Sequence, residues 1–438
     1  MARPLYRDSG NSGLFETIKV QTCSGQPLEV TTASGEYTYV RPATVAGDAF
    51  GRLRTSTPYT LFDSNHRYRD NTYWNTSGVD GSATFNSNEG LVELDVSTAS
   101  GSLVYRETKR VFTYQPGKSL QVMNTFVLDE QQANLRQRVG YFSSGNGVYL
   151  EASGTADPFF VRRASNTGTV VNTRIAQTSW NVDKLDGNGP SGKTLDLTKA
   201  QILWFDIEWL GVGTVRAGFV IDGELIHCHS FQHANNITST YMTTASLPLR
   251  YEIENLDGTS SASTMKQICS TVLSEGGYEL RGKGHTVSQE VASPYDLTTA
   301  SIRYPVGAIR LKSANQDAAV VLNGISFLGI TNNANYRWEL VEGCTLSGGT
   351  WTSAGSNSAV EFNITATGIA GGEAISRGFA IGSNQGSTVT DITKDQIFKY
   401  QLERNSFSNT STVLALVAST QSAGADALSA LNWEEIAY

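Results

Sequence analysis

Residues 200–231 read AQILWFDIEWLGVGTVRAGFVIDGELIHCHSF, and this stretch decides the fold class. The pair Asp222-Gly223 separates Val215–Ile221 from Glu224–Phe231, and apolar and polar residues alternate around it. Such alternation is the period of a strand with one buried face. Because Asp and Gly tolerate the positive φ of a type I′ turn, the stretch predicts a β-hairpin.

The same period recurs along the preceding and following sequence, with few helical windows between. The further predicted strands are Leu91–Val96, Leu103–Tyr114, Ser119–Leu128, Arg136–Phe142, Gly147–Ala152, Leu249–Glu254 and Met265–Leu273. Many strands at this spacing predict an all-β chain, with a concanavalin-like or jelly-roll-like β-sandwich over residues 46–285.

The remaining sequence predicts three further segments. Residues 1–45 are polar without a strong period, and we expect an extended N-terminal arm that pairs with the body or with a neighbouring subunit. Residues 286–300 are polar, contain Pro294 and predict a linker. Residues 301–438 predict a second, smaller β-sandwich, in which residues 427–436 form a short helix or turn and a last strand.

The bulk composition excludes several classes of protein. Charged residues are 17% of the 438 residues, below the roughly 25% of an average globular chain. The net charge of −8 argues against a nucleic-acid binder, which would carry a basic domain. The sequence begins without an apolar signal region and holds no run of 18 apolar residues, so we expect synthesis in a cytoplasm and no membrane insertion. Four widely spaced cysteines predict free thiols.

Trp204, Asp206 and Glu208 form the candidate carbohydrate site. Strand alternation places the three side chains on one face of the predicted sheet. Laminarinase-like glycosidases with a jelly-roll fold use a similar strand, Glu-x-Asp-x-x-Glu or Glu-x-Asp-x-Glu, with two carboxylates about 5–5.5 Å apart. Trp204 stands where the nucleophilic Glu would be, so we expect no catalysis. A passive sugar site and ordinary strand packing are the two alternatives.

His227, His229 and His233 are the weak candidates for a metal site. An H-x-H pair on one strand can bind a zinc ion from one face, but no fourth ligand is evident nearby. We therefore predict structural histidines, with no metal and no cofactor.

Two other features are interpreted as structural. Residues 187–194, GNGPSGKT, match the phosphate-binding pattern, which needs a strand before it and a helix after it. The sequence before this pattern does not predict a buried strand, and the sequence after it does not predict a helix. We therefore predict a surface loop. We expect the strand arginines to form ion pairs rather than bind phosphate; they are Arg136, Arg138, Arg162 and Arg163.

Two stretches carry a family resemblance. Residues 49–68, AFGRLRTSTPYTLFDSNHRY, and residues 203–223 with the following 227–231 resemble a family of virion structural proteins from tailed bacteriophages. The resemblance implies a non-enzymatic particle component and does not specify its position. We expect a place in the tail, baseplate, collar or fibre rather than a head decoration. The second stretch also resembles the strand–turn–strand of concanavalin-like lectin sandwiches, a likeness of fold that transfers no function.

We therefore expect a structural protein that is made in the host cytoplasm and located in the virion. Its expected partners are other copies of itself, with a trimer as our guess, and other virion proteins. A carbohydrate-binding adhesin that contacts host surface glycans is the alternative, and a glycoside hydrolase is the less favoured third hypothesis.

Overall fold

The computed structural model describes residues 57–259, 261–382, 388–391 and 400–437. In these residues the chain is antiparallel β-structure without any α-helix, and the 3-10 turns are Gln177–Ser179 and Ser313–Asn315. None of this part of the chain forms a helix that is long and apolar enough to cross a membrane. The predicted N-terminal arm, residues 1–45, lies outside the described residues.

The first sandwich contains fifteen strands that follow one another from Tyr59 to Ser274. In chain order they are β1 (Tyr59–Ser64), β2 (Trp74–Val79), β3 (Gly81–Asn86), β4 (Leu91–Val96), β5 (Leu103–Thr108), β6 (Leu120–Val127), β7 (Leu135–Phe142), β8 (Gly147–Ser153), β9 (Phe159–Ala164), β10 (Val171–Ala176), β11 (Gln201–Ile207), β12 (Val215–Ile221), β13 (Glu224–Phe231), β14 (Leu249–Asn255) and β15 (Ser263–Ser274).

These strands form two sheets that share one core. The eight-stranded sheet has the order β13-β12-β11-β6-β15-β4-β3, with β1 also paired to β15, and the seven-stranded sheet has the order β10-β9-β8-β7-β14-β5-β2. Phe126 and Phe205 from the first sheet meet Tyr141 and Tyr251 from the second, and all four are fully buried. The predicted concanavalin-like or jelly-roll-like sandwich is thus confirmed.

The hairpin that decided the fold class also has the predicted turn. Asp222 and Gly223 have φ values of 55° and 82°, which is the left-handed backbone that a type I′ turn needs. Strands β12 and β13 begin and end at the predicted residues on both sides of it. The turn residues therefore fix the register of this pair, as the sequence predicted.

The second sandwich contains the remaining thirteen strands of the described residues. They are β16 (Lys283–Ser288), β17 (Tyr295–Leu297), β18 (Tyr304–Leu311), β19 (Ala319–Gly329), β20 (Asn335–Ser347), β21 (Thr352–Ser353), β22 (Val360–Asn363), β23 (Gly368–Ile381), β24 (Thr388–Asp391), β25 (Arg404–Asn405), β26 (Thr410–Ser411), β27 (Leu414–Thr420) and β28 (Ala425–Ala437).

Two sheets and a small hairpin organise these strands. The five-stranded sheet has the order β16-β28-β19-β24, with β17 also paired to β28, and the six-stranded sheet has the order β21-β22-β18-β27-β20-β23. Strands β25 and β26 form the hairpin. The core between the sheets includes Leu322, Trp338, Leu416 and Trp433, so the smaller sandwich has its own apolar centre.

The predicted linker over 286–300 is instead part of the second sandwich. Strand β16 pairs with β28 from Lys283 onward, and β17 pairs with the same strand. Val287 and Leu297 are buried in the second core, which anchors both strands. Of the short helix or turn and the last strand predicted over 427–436, only the strand is found, because these residues lie in β28, which pairs on both sides.

A salt bridge joins the second sandwich to the first. Arg404 on β25 forms an ion pair with Glu107 on β5, at 2.9 Å between Nη2 and Oε1. Its backbone NH donates to the Lys109 carbonyl at 3.0 Å, and its own carbonyl accepts from Asn75 Nδ2 at 2.8 Å. Both the side chain and the backbone of one residue therefore hold the junction.

Packing contacts on either side of Arg404 extend this junction. Gln401 Nε2 donates to the Val111 carbonyl at 2.9 Å. The Phe407 ring meets the Tyr105 ring edge-on, with 4.2 Å between centroids. Both sandwiches belong to one compact unit, residues 58–438.

Glu342 gives the junction a pH dependence. Burial, and then the nearby Glu403 carboxylate, raise the pKa of Glu342 to about 7 from an ordinary 4.5, although Arg110 and Lys109 act in the opposite direction. Between these two pH values the folded protein holds a proton that the unfolded chain has released. The free energy of unfolding therefore falls as the pH rises from about 4.5 to about 7.

We expect Glu342→Gln to remove this dependence. The wild type should lose about 2 kcal/mol of unfolding free energy between pH 4.5 and pH 8, and the variant should not show this loss. Urea unfolding at the two pH values measures the difference, and Glu130→Gln, at an exposed loop position, is the matched control. An equal pH dependence in wild type and Glu342→Gln would contradict this account of the junction.

Candidate functional site

Strand β11 divides its side chains between the core and the outer face of the eight-stranded sheet. Leu203, Phe205 and Ile207 point into the core and are fully buried. Trp204 and Asp206 alternate with them, as strand geometry requires. The predicted candidate site therefore lies on the outer face of this sheet.

Trp204 does not offer its ring to a ligand. The side chain is only 4% exposed, and Nε1 donates to the Phe219 carbonyl at 3.3 Å. Its ring lies over Gly218 on β12, where a Cβ atom would come within 2.9 Å of it. A residue that stacks on a sugar needs an open ring face, so the burial of Trp204 fits ordinary strand packing, the second of the two predicted alternatives.

Asp206 and Glu208 do line one depression, of about 310 Å³. Its other lining residues are Gly117, Lys118, Ser119, Thr214 and Arg216. The loop before β6 and the facing ends of β11 and β12 supply these side chains. The depression is polar, with hydrogen-bond donors and acceptors and no aromatic side chain.

The two carboxylates in the depression have different environments. Asp206 is nearly buried, accepts a hydrogen bond from Ser119 Oγ and forms a salt bridge with Arg216. Glu208 is exposed, and its Oε2 has only a long contact of 3.5 Å with the Thr214 backbone NH. Retaining glycoside hydrolysis needs a free nucleophilic carboxylate beside an acid. In this depression Asp206 is paired with Arg216, whereas Glu208 is exposed.

The three candidate metal ligands lie in three different environments. His227 packs beside Trp204 and contacts Ser230 Oγ at 2.9 Å. The His229 ring faces the core, where it stacks on Phe160. A bulge in the β12–β13 pairing separates their directions, because Ala217 pairs with His229 and Gly218 with His227, which leaves Cys228 as the extra residue.

His233 lies apart from this pair, in the loop after β13. Its ring stacks on Tyr241 with 4.0 Å between centroids, and Nδ1 contacts the Gly213 carbonyl at 2.5 Å. Burial lowers the pKa of all three histidines, and it lowers that of His229 to about 4. Neutral rings in separate packing sites fit the structural role that we predicted. The described residues contain no cluster of potential metal ligands.

The sequence that resembles a phosphate loop encloses a carboxylate of its own chain. Asp183 is buried, and its two oxygens accept the backbone NH groups of Leu185 at 2.9 Å and Ser191 at 2.7 Å. Lys193 pairs with Asp222 at the tip of the hairpin. No helix follows in the described chain around 195–200, so residues 187–194 form a loop, as the flanks predicted.

A charged network lies on the outer face of the seven-stranded sheet, and sequence reasoning predicted ion pairs for its arginines without identifying their partners. Arg138 and Arg136 on β7 face Glu252 and Glu254 on β14 in direct register and form salt bridges with them. Burial, followed by repulsion from Arg136, lowers the pKa of Arg138 to about 10. The signal in the sequence was the alternation of charged residues in both strands, which sheet pairing turns into cross-strand pairs.

Aromatic rings lie under the guanidinium groups of this network. Arg163 lies 5.1 Å from the Tyr149 ring centroid, and Arg250 lies 4.6 Å from that of Tyr105. Arg163 bonds only neutral acceptors, among them the Tyr149 hydroxyl at 3.1 Å. The predicted ion pairing of the strand arginines thus holds for Arg136 and Arg138. Arg162, also predicted to pair, donates to Thr173 Oγ1 at 3.0 Å.

Comparison with known proteins gives likeness of fold only. No family model and no curated protein matches the chain. A β-glucanase of Bacillus licheniformis is 9% identical, with 50% of this chain and 99% of that chain covered and a TM-score of 0.33. The carbohydrate recognition domain of Emp47p is 11% identical, with 50% and 96% covered and a TM-score of 0.32.

A third similar structure comes from a phage. A carbohydrate esterase of the Shiga toxin-encoding bacteriophage phi24B is 12% identical, with 50% of this chain and 100% of that chain covered and a TM-score of 0.30. At these identities and scores none of the three transfers a function to this chain.

The different burial of Trp204 and Glu208 gives a stability test. Trp204→Ala should lower the free energy of unfolding by about 3 kcal/mol, because it leaves a cavity over Gly218. Glu208→Ala, at an exposed position, should change it by less than about 0.5 kcal/mol. Chemical denaturation of the two variants beside the wild type measures both effects. Equal stabilities would show that Trp204 does not fill a packed position.

Proposed function

We propose that this protein is a non-enzymatic structural component of a tailed-phage virion that assembles through its β-rich surfaces. The observation that carries the proposal is the junction around Arg404 and Glu107, which makes one unit of two sandwiches. A protein whose task is to hold neighbours in place needs a body that does not hinge. The resemblance of residues 49–68 and 203–231 to phage structural proteins supports the same role.

The candidate active site also favours a role without catalysis. Asp206 is paired with Arg216, and Trp204, which stands where the similar glycosidase strand has its nucleophilic Glu, is buried. The buried acids of the seven-stranded sheet are likewise paired, with Glu252 bound to Arg138 and Glu151 to Arg174. Carboxylates held in this way stabilise a sheet and are poorly placed to act as a nucleophile or a general acid.

The direct test is the presence of the chain in purified particles. Particles from a lysate of host cells that carry the phage are banded on a density gradient, and the chain is quantified against the major capsid protein in each fraction. We expect a constant ratio across the particle band, whereas an abundant host cytoplasmic protein, as the control, should decline through it. A chain that stays in the soluble fractions would contradict the virion role.

Carbohydrate binding is the second candidate function, and the polar depression is the observation that favours it. Lys118, Ser119, Glu208, Thr214 and Arg216 offer donors and acceptors that match sugar hydroxyls. If the protein is an adhesin, the wild type binds members of a glycan array, and Glu208→Ala weakens that binding at least tenfold. Glu224→Ala, at an exposed position on β13, should leave it unchanged. No binding by the wild type would count against an adhesin.

A further inference from the structure

Strand β23 is an unusually long open edge. It has fourteen residues, whereas the other strands at the ends of the four large sheets have at most eight. One side of β23 pairs with β20, and no strand of the described chain pairs with the other side. An open edge leaves backbone NH and carbonyl groups free for another strand.

The second half of β23 exposes large apolar side chains. Phe379 is 80% exposed and Ile381 is 61% exposed. A bulge shifts the pairing between Ala374 and Ser376, after which residues 376–381 pair in unbroken register with β20. The regular, apolar part of the edge is therefore a short segment at the C-terminal end of the strand.

Arg377 lies on the same outer face as Phe379 and Ile381. Its carboxylate partner also binds two other arginines. Its Nε lies 2.7 Å from Glu339, the same carboxylate that Arg303 and Arg337 contact at 3.0 Å and 3.2 Å. One carboxylate cannot neutralise three guanidinium groups. Positive charge therefore remains beside the exposed ring of Phe379.

This pattern is complementary to itself. If two β23 strands pair in antiparallel fashion about Gly378, then Arg377 of each copy lies opposite Phe379 of the other. Directly opposite side chains in such a pair lie about 5 Å apart, within the range of a cation–π contact. The molecule already uses this contact, since Arg310 lies 4.0 Å from the Trp351 ring centroid.

We propose that residues 375–381 form a homotypic interface, at which β23 of a second copy of this chain adds to the six-stranded sheet about a twofold axis through Gly378. The pairing makes one continuous sheet from two copies and covers Phe379 and Ile381 on both. This interface rests on the proposed assembly role and specifies where one contact between copies lies. Because surplus positive charge meets at the axis, association should strengthen as salt is added.

Phe379→Lys tests the interface in the full-length chain. The variant removes both cation–π contacts and adds two charges, so we expect the dissociation constant between copies to rise at least tenfold. Tyr68→Lys is the matched control, because Tyr68 is an equally exposed aromatic, at 84%, away from the edge. Light scattering over a concentration series measures association, and thermal melting checks that both variants fold as the wild type does.

The outcomes separate this interface from the general role. If the wild type associates and Phe379→Lys loses that association while Tyr68→Lys keeps it, the interface is supported. If all three associate equally, β23 is not the interface, although an assembly role stands. If the wild type is a monomer at every concentration and salt, the interface is overturned, and the gradient experiment on particles then decides the general role alone.

A cysteine pair tests the register. The double variant Arg377→Cys and Phe379→Cys should form a dimer under oxidation beyond the wild-type background, because position 377 of one copy faces position 379 of the other. Phe379→Cys alone should not crosslink. Crosslinking by the single variant would place the axis at residue 379 and overturn the proposed register.

Discussion

Glu107 is the residue on which the two-sandwich body depends. Its side chain is buried and binds two guanidinium groups, Arg250 at 3.3 Å and Arg404 at 2.9 Å. It also accepts a hydrogen bond from the Ser406 hydroxyl at 2.6 Å. Arg250 belongs to the first sandwich, whereas Arg404 and Ser406 belong to the second. A buried carboxylate with partners on both sides fixes their separation, since removal of one partner leaves an unpaired buried charge that costs several kcal/mol.

The charged face of the seven-stranded sheet continues from this residue. Arg250 also contacts Glu252 at 2.8 Å, and Glu252 in turn binds Arg138. Aromatic rings under the guanidinium groups, with Phe407 of the second sandwich at one end, keep these charges away from water. The carboxylates of this face are therefore paired, and the pairs continue across the junction between the two sandwiches. This paired junction is the physical basis for the assembly role that we propose.

The sequence predicted the fold where local chemistry decides it. The type I′ turn at Asp222-Gly223 sets the ends and register of β12 and β13, so residue types alone were sufficient there. Strand β16 was missed because Val287 is its only buried apolar residue, and its partner β28 lies far along the chain. β28 itself resembled a helix because Ala and Leu are helix formers, and pairing on both sides overrides that preference.

The candidate site was predictable in position but not in accessibility. Alternation correctly placed Trp204 and Asp206 on one face of the sheet, and the depression does contain Asp206 and Glu208. The burial of Trp204 depends on Gly218, a residue of the next strand whose missing side chain opens a slot for the ring. The separation of the histidines depends on a bulge in the β12–β13 pairing. A single sequence gives no signal for this bulge or for the space over Gly218.

The most direct measurement of the central claim is calorimetric unfolding of the full-length chain beside its Glu107→Gln variant. If Glu107 makes one body of the two sandwiches, the wild type unfolds in a single cooperative transition, and the variant unfolds in two separate transitions. A wild type that already shows two transitions would contradict the claim. So would a Glu107→Gln variant that keeps one transition at the wild-type temperature.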